Sequence, residues 1–456
     1  MAIDKEIQKS KSWSRLDNAA KIFPSTIEKT DTRVFRFYCE LTEEVKPKIL
    51  QSAVEYTLEI FPNFKMVMKK GLFWYYLEES DLVPIVTLED KAVCSPIYDD
   101  NKKNLLFNVT YYNNRINLEV YHVITDGTGA LQFLKNIVSN YLVEAHKEQF
   151  KDNIPIIDDA TVTERNSDSF QKYYAKNKSN KQTPKRKAFN FKMEKRDAEC
   201  VQIIEGIVST KQVIDIAHKY NTTLTVYLTA LFIEAIAKEM TIQQMKKPIV
   251  IMVPVNLRNY FPSETARNFF GMISVSYDFN KGDGSLDDII SRVNKSFKHE
   301  LTKERLVIRM NNFASLERNL FIKIVPRPIK NIVLRASRHL KDLNETAVIS
   351  NIGRVTMPDI LDKYIDKFGV LISTLKLQLC ICSYNDNLQI GFTSSFLSTD
   401  IQKNFFRSLS KNGVNVEIRT NDYYLPKETS NQEVSLTDNN TATAKRSKKK
   451  RMKSKK

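Results

Sequence analysis

At 456 residues and 52.8 kDa the chain is too long to be one small module. A hydrophobic fraction of 42% and a charged fraction of 27% are those of a globular protein with ample core material, which excludes bulk disorder. The net charge of +17 is uneven: residues 445–456 carry nine Lys/Arg and no acid, which leaves +8 on residues 1–444, a mild excess suited to an anionic ligand or surface.

In chain order, residues 43–60 place Val45, Ile49, Leu50, Ala53, Val54 and Leu58 on one stripe, which predicts an amphipathic helix. LFWYYLE, LVPIVTL, NLLFNVTYY and RINLEVYHV follow as β-rich runs separated by Gly, Pro, Asn and Asp, the pattern of a mixed or antiparallel sheet. Within the first run Trp74 is expected as a strand aromatic packed between layers. Helical period returns over 127–145, so a helix–strands–helix unit fills roughly residues 30–150. Residues 161–200 are polar and basic and read as a linker. A second unit of similar outline follows, with helices at 211–220, 224–240 and 286–301 and strands at 248–255 and 271–279. Then come the β-rich AVISNIG, KLQLCICSY and NLQIGFTSSF and a closing helix at 399–409. The expected division is therefore 1–160, a linker at 161–200, 201–426, and a disordered basic tail at 427–456.

One segment carries chemistry. In RINLEVYH the alternation of Ile116, Leu118 and Val120 sends His122 to the same inward side, at the C-terminal end of a strand. Asp126 and Gly127 fall at the turn that opens the next helix, where the carboxylate can cap the helix or accept a salt bridge. A histidine with one ring nitrogen held by a neighbour offers the other as a general base near neutral pH. Read from residues alone, the same segment also fits a core histidine beside an ordinary Asx turn. The other histidines, His146, His218, His299 and His339, fall on predicted helices or basic stretches and are expected to face solvent.

His122-x-x-x-Asp126-Gly127 resembles the HxxxDG signature of the condensation-domain and chloramphenicol-acetyltransferase-like acyltransferase superfamily. Three further stretches agree in order: Pro254-Val255-Asn256-Leu257-Arg258, Thr265-Ala266-Arg267-Asn268-Phe269-Phe270-Gly271, and Ser350-Asn351-Ile352-Gly353. Arg15-Leu16-Asp17-Asn18-Ala19-Ala20, Phe23-Pro24 and TDGTGALQFLK look most like bacterial alcohol-acetyltransferase-like proteins. The resemblance implies an α/β (α+β) fold of two chloramphenicol-acetyltransferase-like halves, each a mixed sheet with helices, and an active-site tunnel at their junction. It also implies acyl transfer from a thioester, acyl-CoA as co-substrate with no bound cofactor or metal, to the hydroxyl of a small alcohol. His122 is then the catalytic base. Asp126, Gly127 and Arg258 support the site, with Asp126 turned from substrate to pair with Arg258, and Asn268, Ser350 and Asn351 are expected in the substrate pocket.

Two departures shape that expectation. Condensation domains and wax ester synthases carry a second His immediately before the catalytic one, and this chain has Tyr121 there. No carrier-protein module is present in the sequence, so a freestanding donor is expected. Two alternatives stay open: amide-forming condensation on a carrier-bound acyl group, and a non-catalytic or membrane-associated binding protein on the same scaffold. The Lys-rich tail would give weak contact with an anionic membrane or polyanion, and its lack of aromatics argues against specific nucleic-acid binding. Five cysteines without metal-site spacing, no apolar h-region and no run of ~18–20 apolar residues lead to the expectation of a cytoplasmic protein, at most peripheral at the membrane.

Overall fold

The computed structural model describes residues 12–17, 20–151, 162–165, 167–174, 186–196, 201–318 and 324–421. The predicted tail at 427–456 lies outside them. The first part of the chain supplies β1 (Trp13–Arg15), β2 (Val34–Leu41), β3 (Met66–Lys70), β4 (Tyr75–Glu79), β5 (Thr87–Leu88), β6 (Phe107–Tyr112) and β7 (Arg115–Tyr121). The second part supplies β8 (Gln202–Ser209), β9 (Ile249–Asn256), β10 (Phe270–Tyr277), β11 (Ala347–Val355), β12 (Ile365–Ile372), β13 (Leu377–Tyr384), β14 (Asn387–Ser394) and β15 (Glu417–Thr420). They form a small sheet β1-β4-β3, a five-stranded sheet β12-β2-β7-β6-β5 and a seven-stranded sheet β10-β9-β11-β13-β14-β8-β15. The large sheet is mixed, parallel at β9-β11-β13 and antiparallel elsewhere.

Each large sheet has its own hydrophobic core. The helix Pro47–Ile60 starts on a proline that is preset for the first turn, and lays Leu50, Ala53, Val54 and Leu58 into the first core beside the helix Gly127–Ala145. In the second core the helix Leu224–Ala237 is apolar almost all round and buried accordingly, with Thr223 capping its start.

The two cores meet across β13. Its period of two sends Leu377, Leu379 and Ile381 into the second core and Cys380, Cys382 and Tyr384 into the first. The strand that receives those side chains is β12, which leaves the second half of the chain to pair with β2 at the edge of the five-stranded sheet. The architecture is thus the expected two-lobed α/β one, with a strand crossing from one half to the other. Cys39, Cys94, Cys380 and Cys382 are buried free thiols, and Cys200 lies outside the described residues.

Some expectations fail for identifiable reasons. Of LVPIVTL only Thr87–Leu88 pairs, because Pro84 lacks a ladder donor and the segment instead bonds to Gln51 through the Pro84 carbonyl and the Val86 N–H. Trp74 sits in a bend before β4, with Lys330 Nζ 3.7 Å above its ring. His146 does not face solvent: its ring stacks on Tyr364 at 4.1 Å and Nε2 lies 2.7 Å from Glu43. The basic stretch 161–200 is tied down where described, since Phe170 and Phe189 enter the second core. Two helices, Lys303–Arg318 and Arg327–Asp342, were not anticipated.

Candidate active site

β7 pairs with β2 up to Tyr121 opposite Val34, and the next residue donates its backbone N–H to the Arg33 carbonyl at 2.9 Å. His122 is therefore held at the strand end on the face that Phe35 shares. Its half-buried ring lies between Phe35, Phe23 and Phe270, with centroids 4.9, 4.7 and 5.5 Å away. Phe270 comes from the other lobe.

After the turn, Asp126 caps the helix Gly127–Ala145, its Oδ1 accepting the Thr128 and Gly129 N–H groups at 3.1 Å each. Its Oδ2 accepts from Arg258 Nη1 at 2.8 Å and from the Phe269 N–H at 2.7 Å. Both oxygens are committed to holding the turn. Arg258 Nε and Nη2 donate to the Thr265 and Arg267 carbonyls, so one guanidinium ties the His122 turn to segment 265–269 of the second lobe.

Gly129 completes this clamp by having no side chain. A Cβ there would meet the Ala266 carbonyl oxygen and Thr125 Oγ1, each at 2.2 Å, and the Ala266 oxygen accepts a hydrogen bond from that same hydroxyl. Gly129→Ala is expected to cost about 1–3 kcal/mol, as overpacking typically does, read as a lower urea midpoint at unchanged slope. A midpoint equal to wild type would show that the two segments part without cost. Gly127 is less constrained, with Ile352 Cδ1 at 3.0 Å from an added Cβ.

Asn268, expected as a substrate-binding residue, is 2% exposed and spent on positioning. Its Nδ2 donates to Asp17 Oδ2 at 3.0 Å and approaches the His122 and Val123 carbonyl oxygens at 3.2 and 3.4 Å. Three acceptors around one amide nitrogen fix the amide's orientation, so Oδ1 is the atom that faces His122 Nδ1 at 3.1 Å. Nδ1 must then carry the proton and donate it. The Nε2 lone pair is left as the base. Burial holds the His122 pKa below the ordinary histidine value, against the opposing charge of Asp126 and the bond to Asn268. Asp17, also buried, accepts the Ala20 N–H at 2.8 Å, and desolvation lifts its carboxyl to about 6 against the charge of Arg267.

Asn351, also expected to bind substrate, bonds elsewhere. Asn351 Nδ2 donates to Thr225 Oγ1 at 2.8 Å and its Oδ1 accepts the Gly353 N–H at 2.8 Å, which holds a bulge in β11 where Gly353 adopts φ +88°. Ser350 stands half-buried opposite Cys380. Tyr121 is wholly buried on the other face of β7, stacked on Tyr98 at 5.7 Å, and takes no part in the His122 cluster. Sequence reasoning did not single out Asp17, Phe23 and Phe35 as parts of the site. Asp17 and Phe23 stood inside stretches quoted for their resemblance, which was the only signal for them. Among the described residues no group of three or more His, Cys, Asp or Glu could hold a metal ion.

No family model matches the sequence, and no curated protein does. Solved structures do match. The first condensation domain of the calcium-dependent antibiotic synthetase shares 10% identity at a TM-score of 0.61, over 89% of this chain and 99% of that one. TRI101 of F. sporotrichioides, complexed with coenzyme A and T-2, shares 9% at 0.59 over 89% and 99%. TRI3 trichothecene 15-O-acetyltransferase from Fusarium sporotrichioides shares 10% at 0.56 over 88% and 95%. The chain has the two-lobed fold of the condensation domains and chloramphenicol-acetyltransferase-like acyltransferases.

Proposed function

We propose that the protein is an O-acyltransferase that moves an acyl group from acyl-CoA to an alcohol hydroxyl, with His122 as general base. The observation that carries this reading is the commitment of Nδ1 to Asn268, which leaves an unprotonated Nε2 in a half-buried ring between the lobes. Nε2 accepts the hydroxyl proton as the alcohol oxygen attacks the thioester carbonyl. The tetrahedral intermediate then collapses, the C–S bond breaks, and the departing thiolate takes the proton from Nε2. Ester and free CoA thiol leave, and the base is restored without a covalent acyl-enzyme. Two of the similar structures, one a 15-O-acetyltransferase and one holding coenzyme A, support the choice of an O-acyl acceptor and a CoA donor. Asp126 and Arg258 act as structure, and Asn268 and Asp17 as positioning residues. The test is thiol release from a panel of short and long acyl-CoAs with short and long alcohols, followed by ester detection. Ester formation supports the reading, and thiol release without ester, or neither, rejects it.

The pH dependence follows from the direction of the His122 shift. Activity, as kcat/KM, is expected to rise with pH through an apparent pKa below about 6.5 and then stay level, because the base works only unprotonated. Stability gives a second reading. A folded-state pKa below the unfolded one means that the unfolded chain takes up the proton more readily, so the His122 contribution is lost as pH falls below about 6.5. Asp17 runs the other way: raised from 3.8 to about 6, it favours the folded state in full below about 3.8 and loses this as pH rises to about 6. An apparent pKa above about 6.5, or the same pH profile in His122→Ala, would remove the base assignment.

A further inference from the structure

The helix Arg327–Asp342 is mounted with its polar side on the protein and its apolar side outward. Inward, Asn331 Oδ1 accepts from Ser25 Oγ at 2.6 Å, Arg335 Nε donates to the Ser25 carbonyl at 2.8 Å, and Arg338 reaches the Thr26 carbonyl and Asp31. These anchors grip the segment that carries Phe23 to the His122 ring. Outward, Ile329, Ile332, Val333, Ala336 and Leu340 lie within an arc of about 100° at 3.6 residues per turn, all exposed; Ile332 is 68% and Leu340 64% exposed. The helix's first residue donates its backbone N–H to the Leu72 carbonyl at 3.0 Å, and Lys330 Nζ donates to the Phe73 carbonyl at 3.0 Å. Leu72 and Phe73, in the loop bonded to the helix start, and Ile324, just before it, are exposed apolar residues as well.

We propose that this helix face, with the Leu72–Phe73 loop beside it, docks on an anionic lipid bilayer. A helix with one apolar face and a cationic remainder lies in the headgroup boundary with the apolar residues inserted. Residues 327–342 carry five Lys/Arg against one Asp, and residues 1–444 as a whole carry +8, so the field around the patch complements anionic headgroups. The same charge disfavours a second copy of the chain as occupant, because pairing two such faces would bring like charges together. The patch stands on one convex helix, and a fluid surface covers it without a matching groove. The Lys-rich run at 445–456 would add to the attraction. The inference stands apart from acyl transfer and is tested without it.

The experiment uses the full chain and vesicles of phosphatidylcholine with about 30% phosphatidylserine at about 0.15 M salt. Wild type is expected to sediment with these vesicles, and the exposed triple variant Ile332→Asp, Val333→Asp, Leu340→Asp to lose at least about tenfold in partitioning. The chain has only two tryptophans, Trp13 and Trp74, so Trp13→Phe isolates Trp74 at the patch. Its fluorescence is expected to be quenched by brominated lipid, a reading that does not depend on the triple variant folding. Three results overturn the proposal: no partitioning of wild type; partitioning that the triple variant keeps or that leaves Trp74 unquenched, which would assign binding to the tail; or a dimer that the triple variant dissociates, with no vesicle affinity, which would make the face an interface between copies.

Discussion

Replacing His122 with alanine is expected to lower kcat for acyl transfer by roughly 10²–10⁴-fold, the usual contribution of a positioned general base and equivalent to about 3–5 kcal/mol of activation free energy. The acceptor hydroxyl of the proposed reaction is a poor nucleophile until its proton has somewhere to go. In this site the only ring nitrogen with a free lone pair is His122 Nε2, because Nδ1 is committed to Asn268. KM for acyl-CoA is expected to change little, since proton transfer belongs to the transition state and not to donor binding. Added imidazole is expected to restore part of the rate by filling the space between Phe23, Phe35 and Phe270. Asn268→Ala gives the companion measurement: the ring stays, the tautomer is released, kcat falls and the pH profile moves. Single-turnover thiol release with both variants, alongside thermal melts, separates these effects from unfolding. An alanine variant at 122 as active as wild type would end the general-base account.

The residues of that base and its turn were legible because they sit in one contiguous run with strong local signals. Alternation pointed His122 inward, and an Asp-Gly pair marked the helix start. Arg258 as the Asp126 partner was legible only through the resemblance, yet the pairing is there at 2.8 Å. Asn268 was legible in place and misread in role, since its task depends on which way the amide faces. That is settled by Asp17, 251 positions earlier, together with the carbonyls of the His122 turn. No local pattern encodes such a meeting. The same reason hid the destination of β12: a strand-like run does not say which sheet it joins, and its pairing with β2 spans more than three hundred residues. The helix Arg327–Asp342 had readable period and was missed because its apolar stripe is interleaved with Lys and Arg, as befits a helix that buries its polar side.

The second large effect is on stability. Asp126 and Arg258 side chains are 5% and 9% exposed, and between them they join the start of one lobe's helix to segment 265–269 of the other. Arg258→Ala is expected to destabilise the protein by about 3–5 kcal/mol, because it leaves a buried carboxylate without its counter-charge and the Thr265 and Arg267 carbonyls without their donors. Asp126→Asn is expected to cost less. Its oxygen can still cap Thr128 and Gly129, but its amide N–H then faces the Phe269 N–H and the guanidinium, donor against donor. The two losses share one network, so the double variant is expected to lose clearly less than their sum. High salt should weaken the pair little, in contrast to exposed pairs such as Lys102 with Asp99. Denaturant midpoints for both single variants and the double variant measure all of this. Because the clamp also sets where His122 points, kcat measured well below the melting range is expected to fall in Arg258→Ala while acyl-CoA KM holds. Single variants within about 1 kcal/mol of wild type would mean that backbone capping alone holds the turn, and that the ion pair orients the lobes without stabilising them.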